Sequence, residues 1–544
     1  MTSTANPKLP AAAKTQVLVV GGSLNGLTMA LLLANFGVRC VVVERHSETA
    51  RQYKFHGISP RSMEIYRSVG IEDEIRAKRT GDQKSGEIVR GKNLADPDIK
   101  FMGKAWPDTS DLSPASAETC DQERLEPILR AHAERLSADV RFNTEFIGFE
   151  QDEHEVRGRI RNLQTGAEEV VTASYLVAAD GVSGKTRETL GIEQQGPGVL
   201  QHWMNLIFDT DLEPYLKDKL FTSCFVTDIN GTFTPREKRW LLAVQYQPEK
   251  GEKPESFDKK RTAELVRKGA GRDDIRCDLF DARPWEVAAY LADRFQHQRA
   301  FLVGDAAHSM PPTGGFGGNT GIHDCHNLAW KLAFVLNGQA DAKLLETYSD
   351  ERRLVAERTL AQALARLSAW FKDPSKQLPP PVPIVDDWAV YFGHFYTNGA
   401  LLPEGGGDDK AFEDPRHPSG RPGARAPHIL IDRAGVQTPI HDLFGKGLVL
   451  LAGAAGKDWC DAAAAISRGS SLNVSCLRIG EGGDAADVDG QFIDRFGIGQ
   501  DGAVFVRPDG FVAWRSRSAV ADAQAVLRKL LTDLALNIDS PAIT

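Results

Sequence analysis

The chain opens its ordered pattern with an almost uninterrupted apolar run, Val17, Leu18, Val19 and Val20. Apolar on both faces, such a run predicts a strand buried in a parallel sheet, at residues 16–20. Glycines follow, then a helical pattern through 28–35 with Gly37 placed as its C′ residue. A second buried strand over 39–43 ends at Glu44, completing a βαβ unit. Ser59, Pro60 and Gly70 bracket a further helix as N-cap, N1 and C′. The pattern changes over 198–290. Segments 201–209, 220–229 and 239–247 are rich in Trp, Phe and Val, with Asn230-Gly231 as a turn between them. They predict an antiparallel sheet inserted into the α/β domain. Strand alternation sets Trp203, Asn205 and Ile207 on one face and Met204, Leu206 and Phe208 on the other, while Trp240, Leu242, Val244 and Tyr246 share a face. Helical patterning returns over 324–335 and 344–370, and a Pro- and Gly-rich stretch follows.

These elements divide the chain into a first α/β segment at 14–197 and an inserted sheet domain at 198–290. The α/β domain resumes over 291–375 with a long helix, a linker spans 376–408, and a last α/β domain fills 409–544. With 65 Lys+Arg against 74 Asp+Glu the net charge is −9, and the pI is about 5.9. No basic face for nucleic acid is indicated. No apolar run approaches the roughly 18–20 residues that span a bilayer, and 1–16 has no apolar signal core, so a cytoplasmic protein is expected. Seven scattered cysteines form neither a disulfide framework nor a zinc site, and Cys460 reads as a packed thiol.

Three motifs carry candidate chemistry. Gly21-Gly22-Ser23-Leu24-Asn25-Gly26 joins the first strand to its helix, an arrangement that brings backbone N–H groups to a pyrophosphate, with Glu44 placed for ribose hydroxyls and Arg45 beside it. Tyr175 begins a buried strand that delivers Asp180-Gly181 to a sheet edge. The third runs from a buried strand into Gly304-Asp305, Pro311-Pro312 and a glycine cluster at 314–318, where glycines let a ligand approach the backbone. His323, Asp324, Cys325 and His326 have metal-like composition, but they follow the glycine loop as a helix start, and no metal site is assigned.

In this order and spacing, the motifs resemble the FAD-dependent aromatic hydroxylases related to p-hydroxybenzoate hydroxylase. The middle piece and tail are most similar to the aromatic polyketide hydroxylases of that family. The resemblance implies a Rossmann-like FAD domain, an inserted antiparallel-sheet substrate domain and a C-terminal thioredoxin-like domain, the last without a Cys-x-x-Cys pair. It implies FAD contacts from Gly21, Ser23, Leu24, Asn25, Gly26, Glu44 and Arg45. Others would come from Lys54 (usually Arg in the family), Gln122, Asp180, Gly181, Arg187, Gly304, Asp305, Pro312 and Gly315. Backbone at Pro311, Gly317, Gly318 and Asn319 would lie under the isoalloxazine ring and stabilise negative charge on it. NAD(P)H would act as a transient cosubstrate, and a C4a-hydroperoxide formed with O2 would hydroxylate a phenolic, polycyclic ring. Asn205 and Tyr246 are the candidates for orienting substrate hydroxyls. The protein would partner with the small aromatic substrate, without nucleic acid or membrane, and a homodimer is admitted. Baeyer–Villiger-type insertion, drug inactivation on the same scaffold and a non-oxygenating flavoprotein module remain as alternatives.

Overall fold

The computed structural model describes residues 13–50, 54–80, 87–104, 106, 108–216, 221–236, 239–370, 382–405 and 410–538. The first body is built on a sheet with the strand order Gln296–His297, Ala300–Leu302, Glu168–Ala178, Ala13–Val20, Cys40–Val43 and Asp139–Arg141. The last five pair in parallel, and a hairpin of Thr144–Gln151 and Val156–Asn162 extends the sheet antiparallel. Val17, Leu18 and Val19 are completely buried in it, as a parallel strand covered on both faces should be. The helix Leu24–Asn35 starts four residues earlier than the apolar pattern suggests and packs against a longer helix, Phe316–Leu336. That second helix includes Gly317, Gly318 and Gly321, which read as loop in the sequence. A Cβ at Gly321 would stand 2.5 Å from the Asn25 amide, so the missing side chain is what lets the two helices approach. Gly317 and Gly318 therefore form the first turn of a helix rather than a loop.

The second body is an eight-stranded sheet in the order His308–Ser309, Cys277–Ala292, Gln194–Thr210, Trp240–Tyr246, Gly231–Pro235, Ser223–Val226, Glu87–Gly91 and Lys100–Lys104. The last two strands come from inside the first α/β segment, so this body is not confined to 198–290. Glu87–Gly91 is recruited by parallel pairing onto Ser223–Val226, a long-range contact with no local sequence signal. The expected strand at 220–229 shrinks to Ser223–Val226, and Leu220 lies outside the described residues. Alternation holds: Met204, Leu206, Phe208, Leu242, Val244 and Tyr246 share one buried cluster, whereas Trp203 turns to the other face and packs on Trp285 at 5.9 Å.

The C-terminal body runs Leu448–Gly453, helix Lys457–Gly469, Val474–Ile479, then Ala503–Val506, Val512–Ser516 and helix Ala523–Asp533. The first two strands are parallel and the last two are added antiparallel, the βαβ–ββα order of a thioredoxin-like domain. Two sequence expectations need correction. Cys460 is not a packed thiol but is bonded to Cys476, because the helix and the next strand bring residues 16 apart to a Cα separation of 5.2 Å. The segment 376–408, expected as a linker, contains in its described part the helix Asp387–Phe392, whose Trp388, Tyr391 and Phe392 are buried with Phe316 in a shared cluster. Pro and Gly flank this helix and mask its short apolar pattern. Among the described residues no helix is long and apolar enough to cross a membrane.

Candidate FAD and substrate site

A cavity of about 740 Å³ opens at the carboxyl ends of the parallel strands, where open α/β sheets place their ligands. Its floor is the turn 21–25. Gly21 has φ +103°, and a Cβ there would lie 2.4 Å from the Ala179 carbonyl oxygen. Gly26, just behind the cavity wall, packs so closely that a Cβ would meet Gly21 O at 1.8 Å. Ser23 is the N-cap of the helix but does not cap it. Its hydroxyl donates instead to Glu126 Oε1 at 2.6 Å and accepts from Gln122 Nε2 at 2.9 Å. The first N–H groups of the helix are thereby left without a side-chain acceptor at the cavity wall, the arrangement that receives a phosphate. Glu44 reaches the same turn, accepting from Gly22 N at 2.8 Å with one oxygen and from His46 N at 2.8 Å with the other.

Across the cavity, Asp180 accepts from Thr186 N and Oγ1 with one oxygen, at 3.1 and 2.7 Å, while its other oxygen is buried without a partner. Burial pushes the pKa of this carboxyl up, against the pull of the Thr186 bonds. Asp305 projects into the cavity from a turn of 3-10 helix, Gly304–Ala306. Enclosure by protein raises its pKa, and His308 and Lys54 pull it back. The support beneath it was not legible in the sequence. Asp324 accepts from Gly304 N at 3.1 Å, from His308 Nε2 at 2.7 Å and from Arg352 Nε at 2.8 Å, all with fully buried side chains. Burial alone would raise the Asp324 pKa, but His308 and Arg352 outweigh it and hold the carboxyl below its usual range. The metal-like run is thus used structurally, with Cys325 Sγ donating to Asn25 O and His323 facing Ser62.

The second helix start meets the cavity at Gly318, where a Cβ would collide with Phe55 at 2.5 Å. Its N-cap is Gly315 at φ +66°, again without a side-chain cap, so the N–H groups of Phe316, Gly317 and Gly318 are open donors. The loop before it is held from outside. Thr313 Oγ1 donates to Ala363 O at 2.6 Å, and Tyr391 OH donates to Gly314 O at 2.9 Å. Pro311, Pro312 and Gly315 shape this loop but do not line the large cavity. Asn319 belongs to its structure in a different way than expected. Its side chain accepts from Ser59 N and Ser62 Oγ and donates to Gly57 O and Gly315 O, clamping residues 57–62 to the helix. Lys54, Phe55, Arg45 and Gln122 line the cavity, and Gly181 follows Asp180 at its edge.

Two expected site residues lie elsewhere. Arg187 is buried in a short helix, donates to Ile192 O at 2.9 Å and does not line the cavity, though its charge acts on Asp180 at the cavity edge. Tyr246 sits on the face opposite Asn205, packed at 5.8 Å from Phe257, because strand alternation and the His202–Tyr246 register send it into the sheet's own core. Asn205 stays on the side of Trp203, where its Oδ1 accepts from Trp285 Nε1 at 2.8 Å. On that same face Asp281 and Arg283 reach the large cavity, and a smaller apolar cavity lies among Trp203, Phe225, Ile88, Met102 and Trp370, with Arg90 at its wall. Where the sheet meets the 54–62 segment, Arg236 donates to Asp121 at 3.0 Å and contacts His56 Nδ1 at 2.6 Å. Burial and Arg236 both lower the His56 pKa.

The residues present fit FAD: two uncapped helix starts, a cavity-facing carboxylate at Asp305, an unpartnered acceptor at Asp180 and turns that a Cβ would fill. Comparison with known proteins points the same way. Residues 14–363 match the profile of an FAD binding domain, and 419–534 match the C-terminal domain of aromatic-ring hydroxylases. The chain is 38% identical over 540 residues to aklavinone 12-hydroxylase of Streptomyces purpurascens, covering 95% of this chain and 99% of that one. It is 38% identical over 537 residues to 4-methyl-5-nitrocatechol 5-monooxygenase of a Burkholderia species, covering 95% and 96%. Among solved structures, aklavinone-11 hydroxylase in a ternary complex with FAD and aklavinone superposes with a TM-score of 0.90 at 37% identity, over 96% of this chain and 99% of that one.

Proposed function

The chain belongs to the FAD-dependent aromatic-ring hydroxylases, and from that premise we propose that its substrate is a polycyclic phenol of polyketide type. The reaction is monooxygenation: ring C–H, O2, NAD(P)H and a proton give ring C–OH, water and NAD(P)+. FAD supplies the electron relay from nicotinamide to O2 and the delivery of one oxygen atom. The protein's share is binding, orientation and electrostatics. The open N–H groups at Leu24 and its neighbours would hold the pyrophosphate, with Glu44 near the ribose and Asp305 on the polyol chain. The N–H groups of Phe316, Gly317 and Gly318 would stabilise negative charge at the ring end. Phe55, packed over Gly318, supplies an apolar wall at that end of the cavity.

The observation that carries the substrate reading is the shared face of the inserted sheet. Arg283 on this face lines the large cavity, and Trp203 and Phe225 on the same face line the smaller one beside it, with Trp203 stacked on Trp285 and Phe225 edge-on to Trp370. Aromatic surface next to a cavity-lining guanidinium suits a flat, multi-ring phenol. The nitrocatechol relative favours a second reading, a single-ring phenol. Anaerobically reduced and air-reoxidised protein should be tested for substrate-stimulated NAD(P)H oxidation against both ligand sizes, with mass spectrometry of the product. A gain of one oxygen on a multi-ring phenol supports the proposal. Stimulation by monocyclic catechols alone would overturn it in favour of the second reading.

A further inference from the structure

The disulfide of the C-terminal domain stands apart from every other cysteine. Of the five cysteines outside the disulfide, Cys40, Cys120, Cys224 and Cys325 are buried. Burial drives the Cys40 and Cys120 thiols up to about 12 and Cys277 to about 11, and raises Cys325 well above its ordinary value. Such thiols are poor nucleophiles at neutral pH. Cys460 and Cys476 are both partly buried, as Cys277 is, and are bonded to each other. Cys460 lies in the first turn of the 13-residue helix Lys457–Gly469, and Cys476 lies on the strand Val474–Ile479, which is the edge of its sheet. The bond therefore ties a helix to an edge strand, with both half-cystines partly open to solvent.

We propose that Cys460 and Cys476 form a reversible dithiol–disulfide site that exchanges with a small-molecule thiol of the glutathione class. A thiolate attacks Cys476 Sγ and forms a mixed disulfide. The electron pair of the broken S–S bond passes to Cys460 Sγ, which leaves as a thiolate at the helix N-terminus, where the helix dipole stabilises negative charge. A second thiolate attacks the sulfur of the small molecule, releasing its disulfide and the Cys476 thiolate. The sum is protein disulfide plus two thiols giving protein dithiol plus one small disulfide, and the reverse closes the site again.

The site's effect is local order. Cys476 packs against a core cluster that runs from Leu450 and Trp459 to Trp330 and Phe334 of the helix Phe316–Leu336, so helix 457–469 keeps its apolar anchor when the bond opens. What is lost is the covalent closure of 16 residues around the connection at 470–473. For a loop of that size the opening equilibrium should rise on the order of 100-fold.

The experiment uses the full chain equilibrated in ratios of reduced to oxidised glutathione, then blocked with an alkylating reagent and digested with trypsin. Cleavage after Lys457, Arg468 and Arg478 places the two cysteines in adjacent peptides. We expect a linked pair at low thiol that is lost progressively as reduced glutathione increases, with faster amide exchange over 457–478 in the reduced native protein. The Cys460→Ser variant should show the fast exchange under all conditions. Absence of the linked pair even in oxidised glutathione overturns the proposal. So does a bond that resists excess reduced glutathione until the protein is denatured, which would make it a fixed structural bridge.

Discussion

Replacing Asn319 by Ala removes a clamp rather than a ligand contact, and its cost can be worked from the bonds it makes. The Asn319 side chain is completely buried and makes four hydrogen bonds, to Ser59 N at 2.9 Å, Ser62 Oγ at 2.7 Å, Gly57 O at 3.0 Å and Gly315 O at 2.9 Å. Two of these partners have alternatives. Ser62 can still reach Ser59 Oγ at 3.1 Å or His323 Nε2 at 3.2 Å, and Gly315 O has Tyr391 OH at 3.4 Å. Ser59 N loses its acceptor at a position with no solvent exposure, whereas Gly57 is only partly buried and its carbonyl can turn to water. A buried polar group left unpaired costs about 1–3 kcal/mol, and the orphaned Ser59 N should destabilise the 57–62 segment by about that much. The expected readout is faster amide exchange at 57–62, roughly 5- to 150-fold at that cost, together with easier loss of FAD because Lys54 and Phe55 are attached to this segment. Hydrogen exchange followed by mass spectrometry and FAD release on dilution measure the two effects. If exchange at 57–62 changes by less than about threefold, the orphaned-donor cost of about 1 kcal/mol or more is absent and the clamp has been misread.

Further expectations concern the cofactor, the substrate and the domain contact. Asp305→Ala should weaken FAD retention by about 1–3 kcal/mol, the range for a lost charged hydrogen bond, read by titration of apoprotein; an unchanged affinity would remove Asp305 from the site. Asn205→Leu leaves the Trp285 indole N–H without its acceptor and should uncouple NAD(P)H oxidation from hydroxylation at constant FAD content. Unaltered coupling in that variant would exclude Asn205 from substrate orientation. Acid should release the C-terminal domain. Burial would raise the pKa values of Glu64 and Asp509, but Arg425 and Arg61 outweigh it for Glu64, and Arg507 does so for Asp509, which is held at about 2. Folded values below unfolded ones mean that the stabilisation is present above about pH 5 and is lost as the pH falls. Glu64 meets Arg425 of the C-terminal domain, whereas the Asp509–Arg507 pair lies within that domain. Limited proteolysis should therefore cut near 410–425 at low pH, and the Glu64→Gln variant should lose most of the dependence.

The βαβ unit, the inserted sheet and the glycine turns were legible because each rests on a local rule. An apolar run of four residues, an alternation, or a glycine at φ +103° leaves a mark within a few positions. Recruitment of Glu87–Gly91 into the second sheet left none, since its strand identity comes from pairing with Phe225 and Val226, 135 residues away in register at Arg90 and Gly91. The helix Asp387–Phe392 was hidden for a related reason: six residues between Pro- and Gly-rich flanks are too few for a helical period to stand out. Its stability comes from burial of Trp388 and Tyr391 against Phe316, a tertiary contact.

The same division separates the candidate site's ligand-facing residues from its supports. Ser23, Glu44, Asp180 and Asp305 lie in turns at the ends of strands, so a motif announces them. Asp324, Arg352 and Asn319 act mostly through partners that the fold brings close from 16 to 262 positions away, and nothing in a helix pattern distinguishes a buried Asp from an exposed one. The physical signal exists only once burial is known. A fully buried carboxylate held below its usual pKa must be paired, and its partners are then functional by position. Arg187 and Tyr246 fail in the opposite direction. Both have the right residue type near the right motif, but side-chain direction decides which cavity a residue sees, and in a strand a one-residue change of parity reverses it. For Tyr246 the parity was already set by its sharing a face with Leu242 and Val244. A residue grouped with that apolar face belongs to the sheet's core, and of the two candidates only Asn205 stays on the face that carries Arg283.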